Sequence, residues 1–244
     1  MSGRDSRWIL IIKAGSTFPL LRARKGDFEH WMLAGMEARD SEADVVDVEK
    51  GAALPEHGSH AAVVITGSHA MVTDRLEWSE RAAAWLSEEV RAGTPVLGVC
   101  YGHQLLAHAL GGQVAYNPRG REFGTVEIRL EQPAEQDPLF HGLPRSLPVQ
   151  ASHLQSVIQL PPGASRLAGS AMDENHAVRY AECAWGVQFH PEFDAEAMRA
   201  YADHTRAQLA AEGRDAEWLL DEISETPGSR GILARFARYA RYRR

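Results

Sequence analysis

The sequence is poor in cysteine. Its 244 residues hold two, Cys100 and Cys183, too few for a disulfide framework. Long apolar runs are missing as well, and nothing approaches the ~20 residues of a membrane span. Met1 to Arg7 is charged and leads straight into a short apolar strand. It has neither the apolar core of a signal peptide nor a transit-peptide pattern. A reducing, cytoplasmic setting is therefore expected, in which a reactive thiol survives. Positive charge is in deficit, and the net charge of −7 argues against general nucleic-acid binding. No Gly-rich phosphate loop, internal repeat or low-complexity tract is present. Metal-ligand spacing is lacking too: His57 and His60 lie three apart with no further ligand nearby, so no metal site is expected.

Hydrophobic residues make up 44% of the chain, enough for the core of one large α/β domain. Apolar runs at Trp8–Ile12, Asp44–Val48, Ala61–Thr66 and Pro95–Val99 read as strands. Between them, Phe28, Trp31, Met32 and Met36 recur at helical spacing, as do Trp78, Ala82, Trp85, Leu86 and Val90. Strands alternating with helices predict a mostly parallel sheet flanked by helices on both faces. The middle of the chain changes character. Segments at 123–130, 147–151, 157–160, 166–170 and 177–182 read as strands joined by short turns. Some should extend the main sheet and some should form a small antiparallel one. After Phe193 the pattern is helical, over about 195–211, 216–223 and 231–242. The expected organisation is a domain over residues 1–194 with a helical extension, 195–244, packed on it.

The densest information lies in Pro95-Val96-Leu97-Gly98-Val99-Cys100-Tyr101-Gly102-His103-Gln104. A buried strand meets a helix, and the cysteine falls on the turn between them, a position that pushes its side chain out of the backbone. The first N–H groups of a helix lack intrahelical partners, and with the helix dipole they favour a thiolate, the nucleophilic form. Ninety residues on, Ala184 to Phe189 reads as a strand that stops at His190-Pro191-Glu192. Side-chain alternation lets His190 and Glu192 point the same way. A carboxylate can then hold one imidazole nitrogen and leave the other to serve a nucleophile.

Gly98 through Gln104 and Gly186 through Glu192 together resemble the two signature segments of the class I, or triad, glutamine amidotransferases. The resemblance runs from about Ile9 to Asp194 and is nearest to the glutaminase domain of GMP synthase and its stand-alone relatives. It implies a flavodoxin-like core and hydrolysis of a γ-glutamyl amide through a thioester. Cys100 would be the nucleophile, His190 the base and Glu192 its support. The backbones of Gly67 and Tyr101 would form the oxyanion hole. Gln104 and the segment Ser152-His153-Leu154 would hold the amino-acid end of glutamine. No metal or organic cofactor is implied, and no nucleic-acid or membrane partner. The implied substrate is glutamine or a γ-glutamyl compound, and the possible ammonia acceptor is a separate synthase subunit. A self-contained γ-glutamyl peptidase or hydrolase is the alternative, and a non-catalytic glutamine-binding module is a third reading. One departure stands out. Where the GMP synthase-like domains carry two glycines and a proline, this chain reads Gly67-Ser68-His69-Ala70-Met71-Val72.

Acidic residues are absent from Ser229 onward, where Arg230, Arg235, Arg238, Arg241, Arg243 and Arg244 gather. Such a run reads as a solvated helix face or as a docking helix for an acidic partner. His103 and His108 read as helix-surface residues or as support for the site, and Cys183 as structural.

Overall fold

The computed structural model describes residues 8–243. The charged segment Met1–Arg7 and the last arginine of the C-terminal run, Arg244, lie outside the described residues. The first half contains β1 (Ile9–Lys13), α1 (Pro19–Lys25), α2 (Phe28–Gly35), β2 (Ala43–Asp47), β3 (Ala62–Ile65), α3 (Glu77–Ala92), β4 (Val96–Val99) and α4 (Tyr101–Ala109). The second contains β5 (Gln113–Tyr116), β6 (Glu122–Leu130), β7 (Ser146–His153), β8 (Gln155–Gln159), β9 (Ser165–Gly169), β10 (Ala177–Ala181) and β11 (Ala184–Val187). Helices α5 (Ala195–Ala211), α6 (Ala216–Glu222) and α7 (Pro227–Tyr242) follow.

One sheet, in the order β2-β1-β3-β4-β11-β10-β9-β6-β7, organises the molecule, and β5 pairs with β8 beside it. Pairing is parallel from β2 to β11 and antiparallel from β11 outward. Successive residues of a strand face opposite sides, so a strand apolar throughout needs cover on both. All five residues of β1 are buried. Ile9 and Ile11 join a core with Met32 and Leu33 of α2 and Ile232, Leu233 and Phe236 of α7. Leu10 and Ile12 join the opposite core with Ala82 and Leu86 of α3 and Leu105 and Leu106 of α4. A third cluster packs Met198 and Tyr201 of α5 and Leu219 of α6 against Phe28, Trp31 and Phe193.

Two glycines let α4 press onto the sheet. A Cβ on Gly102 would stand 2.5 Å from the Ile65 carbonyl oxygen, and one on Gly98 would stand 2.4 Å from that of Gly102. Both neighbours are backbone atoms, so rotamer changes could not relieve the clash.

Four features differ from the sequence reading. Helix α1 buries Leu21 alone, which leaves too little periodicity to see. Strand β5 is partly exposed throughout and owes its existence to pairing with β8. Strand β7 continues through His153, and β11 ends at Val187. Finally, the arginine-rich helix is a core element as well as a surface one: Arg238 and Arg241 are exposed. Its opposite stripe is core, and three of its arginines contact neighbours. Arg235 donates to the carbonyls of Leu139 and His141 at 3.1 and 2.7 Å. Arg241 lies over the Trp8 ring, 4.9 Å from its centroid. Arg243 pairs with Glu182.

Because Phe236 is fully buried in the core shared with β1 and β11, Phe236→Ala should lower stability by about 3–5 kcal/mol in urea unfolding. Truncation at Ser229 should abolish the cooperative transition. A variant with an unchanged urea midpoint would contradict this packing.

Candidate active site

Cys100 sits between β4 and α4 with φ 51° and ψ −101°, left-handed territory for a residue with a side chain. Such a conformation costs about 1–3 kcal/mol and persists only where its surroundings enforce it. Here the Cys100 N–H donates to the Val187 carbonyl at 2.8 Å, while its own carbonyl accepts from the Gln104 N–H at 3.1 Å. The turn is thus pinned to β11 on one side and starts α4 on the other.

Strand register then decides what surrounds the sulfur. Gly98 lies opposite Ile65 of β3, and Val99 lies opposite Val187 of β11. Beyond these strand ends come Thr66 and Gly67, Cys100, and Gln188. A Cβ on Gly67 would come 3.2 Å from His190 Cε1 and 3.9 Å from Cys100 Cβ. Glycine is what lets that loop lie so close to both side chains.

The buried His190 ring is held from two directions. Its Nδ1 meets Glu192 Oε1 at 2.7 Å. Phe193 stacks on it with centroids 4.2 Å apart. On the Gly67 side it shares its surroundings with Cys100, whose Cβ lies beside the same loop. Burial alone would push the ring's pKa down, but the Glu192 carboxylate and Cys100 outweigh it and raise it to about 10. The pairing does not arise from strand alternation, because the strand has already ended. Instead the His190 N–H donates to the Gln150 carbonyl at 2.8 Å, and the chain turns through Pro191, with Phe193 N–H reaching back to the His190 carbonyl at 3.3 Å. A cysteine sulfur beside an imidazole oriented by a carboxylate is a set able to attack a carbonyl carbon, as thiolate beside imidazolium.

The remaining residues singled out from the sequence divide. Tyr101 opens α4; its hydroxyl is 2.6 Å from Ser79 Oγ, and burial pushes its pKa up to about 12. The Ser152 carbonyl lies 3.9 Å from Cys100 Sγ. The Leu154 carbonyl accepts from the Asn117 N–H. Gln104 is buried and spends both amide hydrogens internally, on the Gln155 carbonyl at 2.8 Å and Gln188 Oε1 at 3.0 Å. His153 likewise has both ring nitrogens engaged, Nδ1 with the Gln155 carbonyl at 3.0 Å and Nε2 with Glu122 Oε2 at 3.1 Å. His103 is fully buried rather than on the surface, and burial lowers its pKa to about 3. His108 is half-buried and meets Glu80 at 3.1 Å. His57 and His60 serve different carboxylates, Glu89 and Asp44. Cys183 lies beside the Gly93 carbonyl, and burial raises its thiol pKa.

Sequence reasoning missed the centre of a buried polar cluster. The Nε2 atoms of His153 and His176 both face Glu122 Oε2, at 3.1 and 2.8 Å, while Ser170 donates to Oε1 at 2.7 Å. Burial opposes ionisation, but these hydrogen bonds hold the Glu122 carboxyl far below the usual carboxylate range. The three ligand-type atoms lie within 4.8 Å of one another, close enough to consider a metal. Yet both ring nitrogens of His153 are already taken up by the Gln155 carbonyl and Glu122, which leaves none free for an ion. The set works as a buried hydrogen-bonded cluster around the Glu122 carboxylate that ties β6, β7 and the segment before β10 together. Its members are 31 and 54 residues apart in sequence and carry no local signal.

Among the described residues no helix is long and apolar enough to cross a membrane. The family model "Glutamine amidotransferase class-I" matches residues 25–203. The chain is 34% identical over 186 residues to "GMP synthase [glutamine-hydrolyzing]" of Thermomicrobium roseum, an alignment covering 75% of this chain and 31% of that one. Over 168 residues it is 34% identical to a protein of Methanoculleus marisnigri named as one subunit of a glutamine-hydrolyzing GMP synthase, covering 68% of this chain and 84% of the relative. The chain thus spans less than a third of the first relative, and alignments to two further GMP synthase subunits cover 50% and 52% of their lengths. A solved glutamine amidotransferase from Methylobacillus flagellatus superposes with a TM-score of 0.78 at 22% identity, covering 97% of this chain and 94% of that one, a likeness of fold. With the family match running from the end of α1 into α5 and enclosing Cys100, His190 and Glu192, the chain belongs to the class I glutamine amidotransferases.

Proposed function

We propose that this protein hydrolyses the γ-amide of glutamine through a thioester on Cys100 and supplies the ammonia to a synthase carried on a separate chain. The observation that carries this reading is the 2.7 Å contact of Glu192 with His190, whose ring lies across Gly67 from Cys100 at a strained strand-to-helix turn. Cys100 attacks the amide carbon. His190 then gives its proton to the departing ammonia and, once neutral, takes one from the water that cleaves the thioester. Glu192 keeps the ring oriented and supports its positive charge. The backbone N–H groups of Gly67 and Tyr101 receive the oxyanion. Ser152 and Leu154, with the backbone of His153, hold the amino-acid end of the substrate together with Gln104. The residues need no metal or organic cofactor for these steps. The name of the M. marisnigri relative, one subunit of a GMP synthase, supports a partner chain as acceptor. A reducing, cytoplasmic setting suits the two free thiols.

One observation favours the second reading, a self-contained γ-glutamyl hydrolase. The loop after Gly67, where the sequence departs from the GMP synthase pattern, is fastened in this fold. His69 stacks on Phe18 at 4.7 Å, and Phe18 stacks on His204 of α5 at 3.5 Å.

Cys100→Ala should abolish glutamate release while leaving thermal unfolding intact, since a nucleophile acting as a unit with its base is worth several orders of magnitude. Substantial residual activity in the folded variant would remove Cys100 from the mechanism. The isolated chain should turn over free glutamine slowly, because its ammonia acceptor is absent. Fast release from γ-glutamyl peptides alongside slow release from glutamine would select the self-contained hydrolase. The protonated His190 ring also has a consequence for stability. Its pKa rises from the ordinary 6.5 to about 10 on folding, so its stabilisation is complete below about pH 6.5 and is lost as pH rises through about 10. Any advantage in Tm of wild type over His190→Gln should shrink across that window; a difference independent of pH would contradict the buried imidazolium.

A further inference from the structure

Cys100 Sγ has a further polar neighbour besides His190 and the Ser152 carbonyl. Gln188 Nε2 lies 3.6 Å from the sulfur, and the Gln188 side chain is wholly shielded from solvent. Which end of that amide faces the sulfur follows from a chain of hydrogen bonds. The Gln155 backbone carbonyl can only accept, so the atom of Gln104 that meets it at 2.8 Å is the NH₂. The same NH₂ meets Gln188 at 3.0 Å, so the Gln188 atom there is the oxygen. The NH₂ of Gln188 is thereby left aimed at Cys100. Its backbone is fixed too: the Gln188 N–H donates to the His176 carbonyl at 2.8 Å, and the preceding carbonyl, Val187, holds the Cys100 N–H.

We propose that Gln188 is a catalytic residue of this site, a permanent hydrogen-bond donor to the Cys100 thiolate, with Gln104 as the positioning residue that fixes its polarity. The proposal rests on the thioester reading, which needs the thiolate twice. It is the nucleophile in acylation and the leaving group when water cleaves the thioester. In that second step His190 is occupied with the water proton. An amide cannot titrate in this range, so Gln188 offers the sulfur the same donor throughout. Other groups around the sulfur do titrate. His190 carries Glu192 behind it; Tyr201 reaches in from α5, its phenol pushed well above its ordinary range by burial; and His69 from the loop after β3 acts on His190.

The test is the pH profile of Cys100 alkylation by iodoacetamide, read by mass spectrometry of the Cys100 peptide in the full chain. Gln188→Met keeps the side chain's length and removes the donor. Its profile should move to higher pH, with a rate at pH 6 roughly 10-fold below wild type and convergence near pH 10. Gln188→Glu, which retains shape and adds an acceptor, should show the same direction and serves if the Met variant does not fold. Profiles that superimpose on wild type, or a uniform loss at every pH, would reduce Gln188 to a packing residue and overturn the proposal. Alkylation does not require glutamine to be the substrate. A shifted profile in a protein that hydrolyses no γ-glutamyl compound would therefore sink the functional reading and leave Gln188 as donor to the sulfur.

Discussion

Everything at this site depends on holding one cysteine in a backbone conformation it would not choose. Cys100 keeps φ at 51° because β4 stops and α4 begins within a single residue. The cost, about 1–3 kcal/mol, must be met by the structure around it. Gly98 and Gly102 supply part of the answer, since any side chain there would lift α4 off the sheet. The hydrogen bond from Cys100 N–H to Val187 supplies another, because it welds the turn to the neighbouring strand. Once that turn is fixed, parallel register brings Gly67 and Gln188 beside the sulfur.

The antiparallel half of the sheet serves the same end from a distance. β7 lies at the far edge of the strand order, yet its Gln150 carbonyl receives the His190 N–H, and its Ser152 carbonyl faces the sulfur. The buried Glu122 pair with His153 and His176 holds the strand end that carries Ser152. Removing one of these partners leaves the buried Glu122 carboxylate short of a hydrogen bond, which is costly. The C-terminal helices are equally committed: α7 closes one face of the sheet, and α5 brings Tyr201 to within 3.2 Å of Thr17 Oγ1.

Much of this is legible in the sequence, for reasons that differ by element. The elbow announces itself because strand, cysteine, glycine and helix occur in ten consecutive residues. The apolar stripe Ile232, Leu233, Phe236, Ala237 and Ala240 is equally visible in the C-terminal helix, but the arginines between draw attention toward its surface. The end of β11 is hard to place because Gln188 and Phe189 remain buried after the ladder stops, so their pattern does not change where the hydrogen bonding does. His153 reads with its neighbours as one substrate-holding loop; as a strand residue it turns to the opposite side from Ser152 and Leu154. Glu122 gives no local signal, and Gln188 stands in the second signature segment without its role being legible, since both act through partners dozens of residues away.

If Cys100, served by His190 and Glu192, is the nucleophile, turnover must pass through a covalent γ-glutamyl intermediate on its sulfur. Rapid acid quenching during turnover, followed by mass spectrometry of the Cys100 and Cys183 peptides, tests this directly. The expected result is a γ-glutamyl adduct on Cys100, none on Cys183, and a greater steady-state amount when water attack is slowed relative to acylation. Continued glutamate release with Cys100 unmodified, or in a folded Cys100→Ala variant, would contradict it.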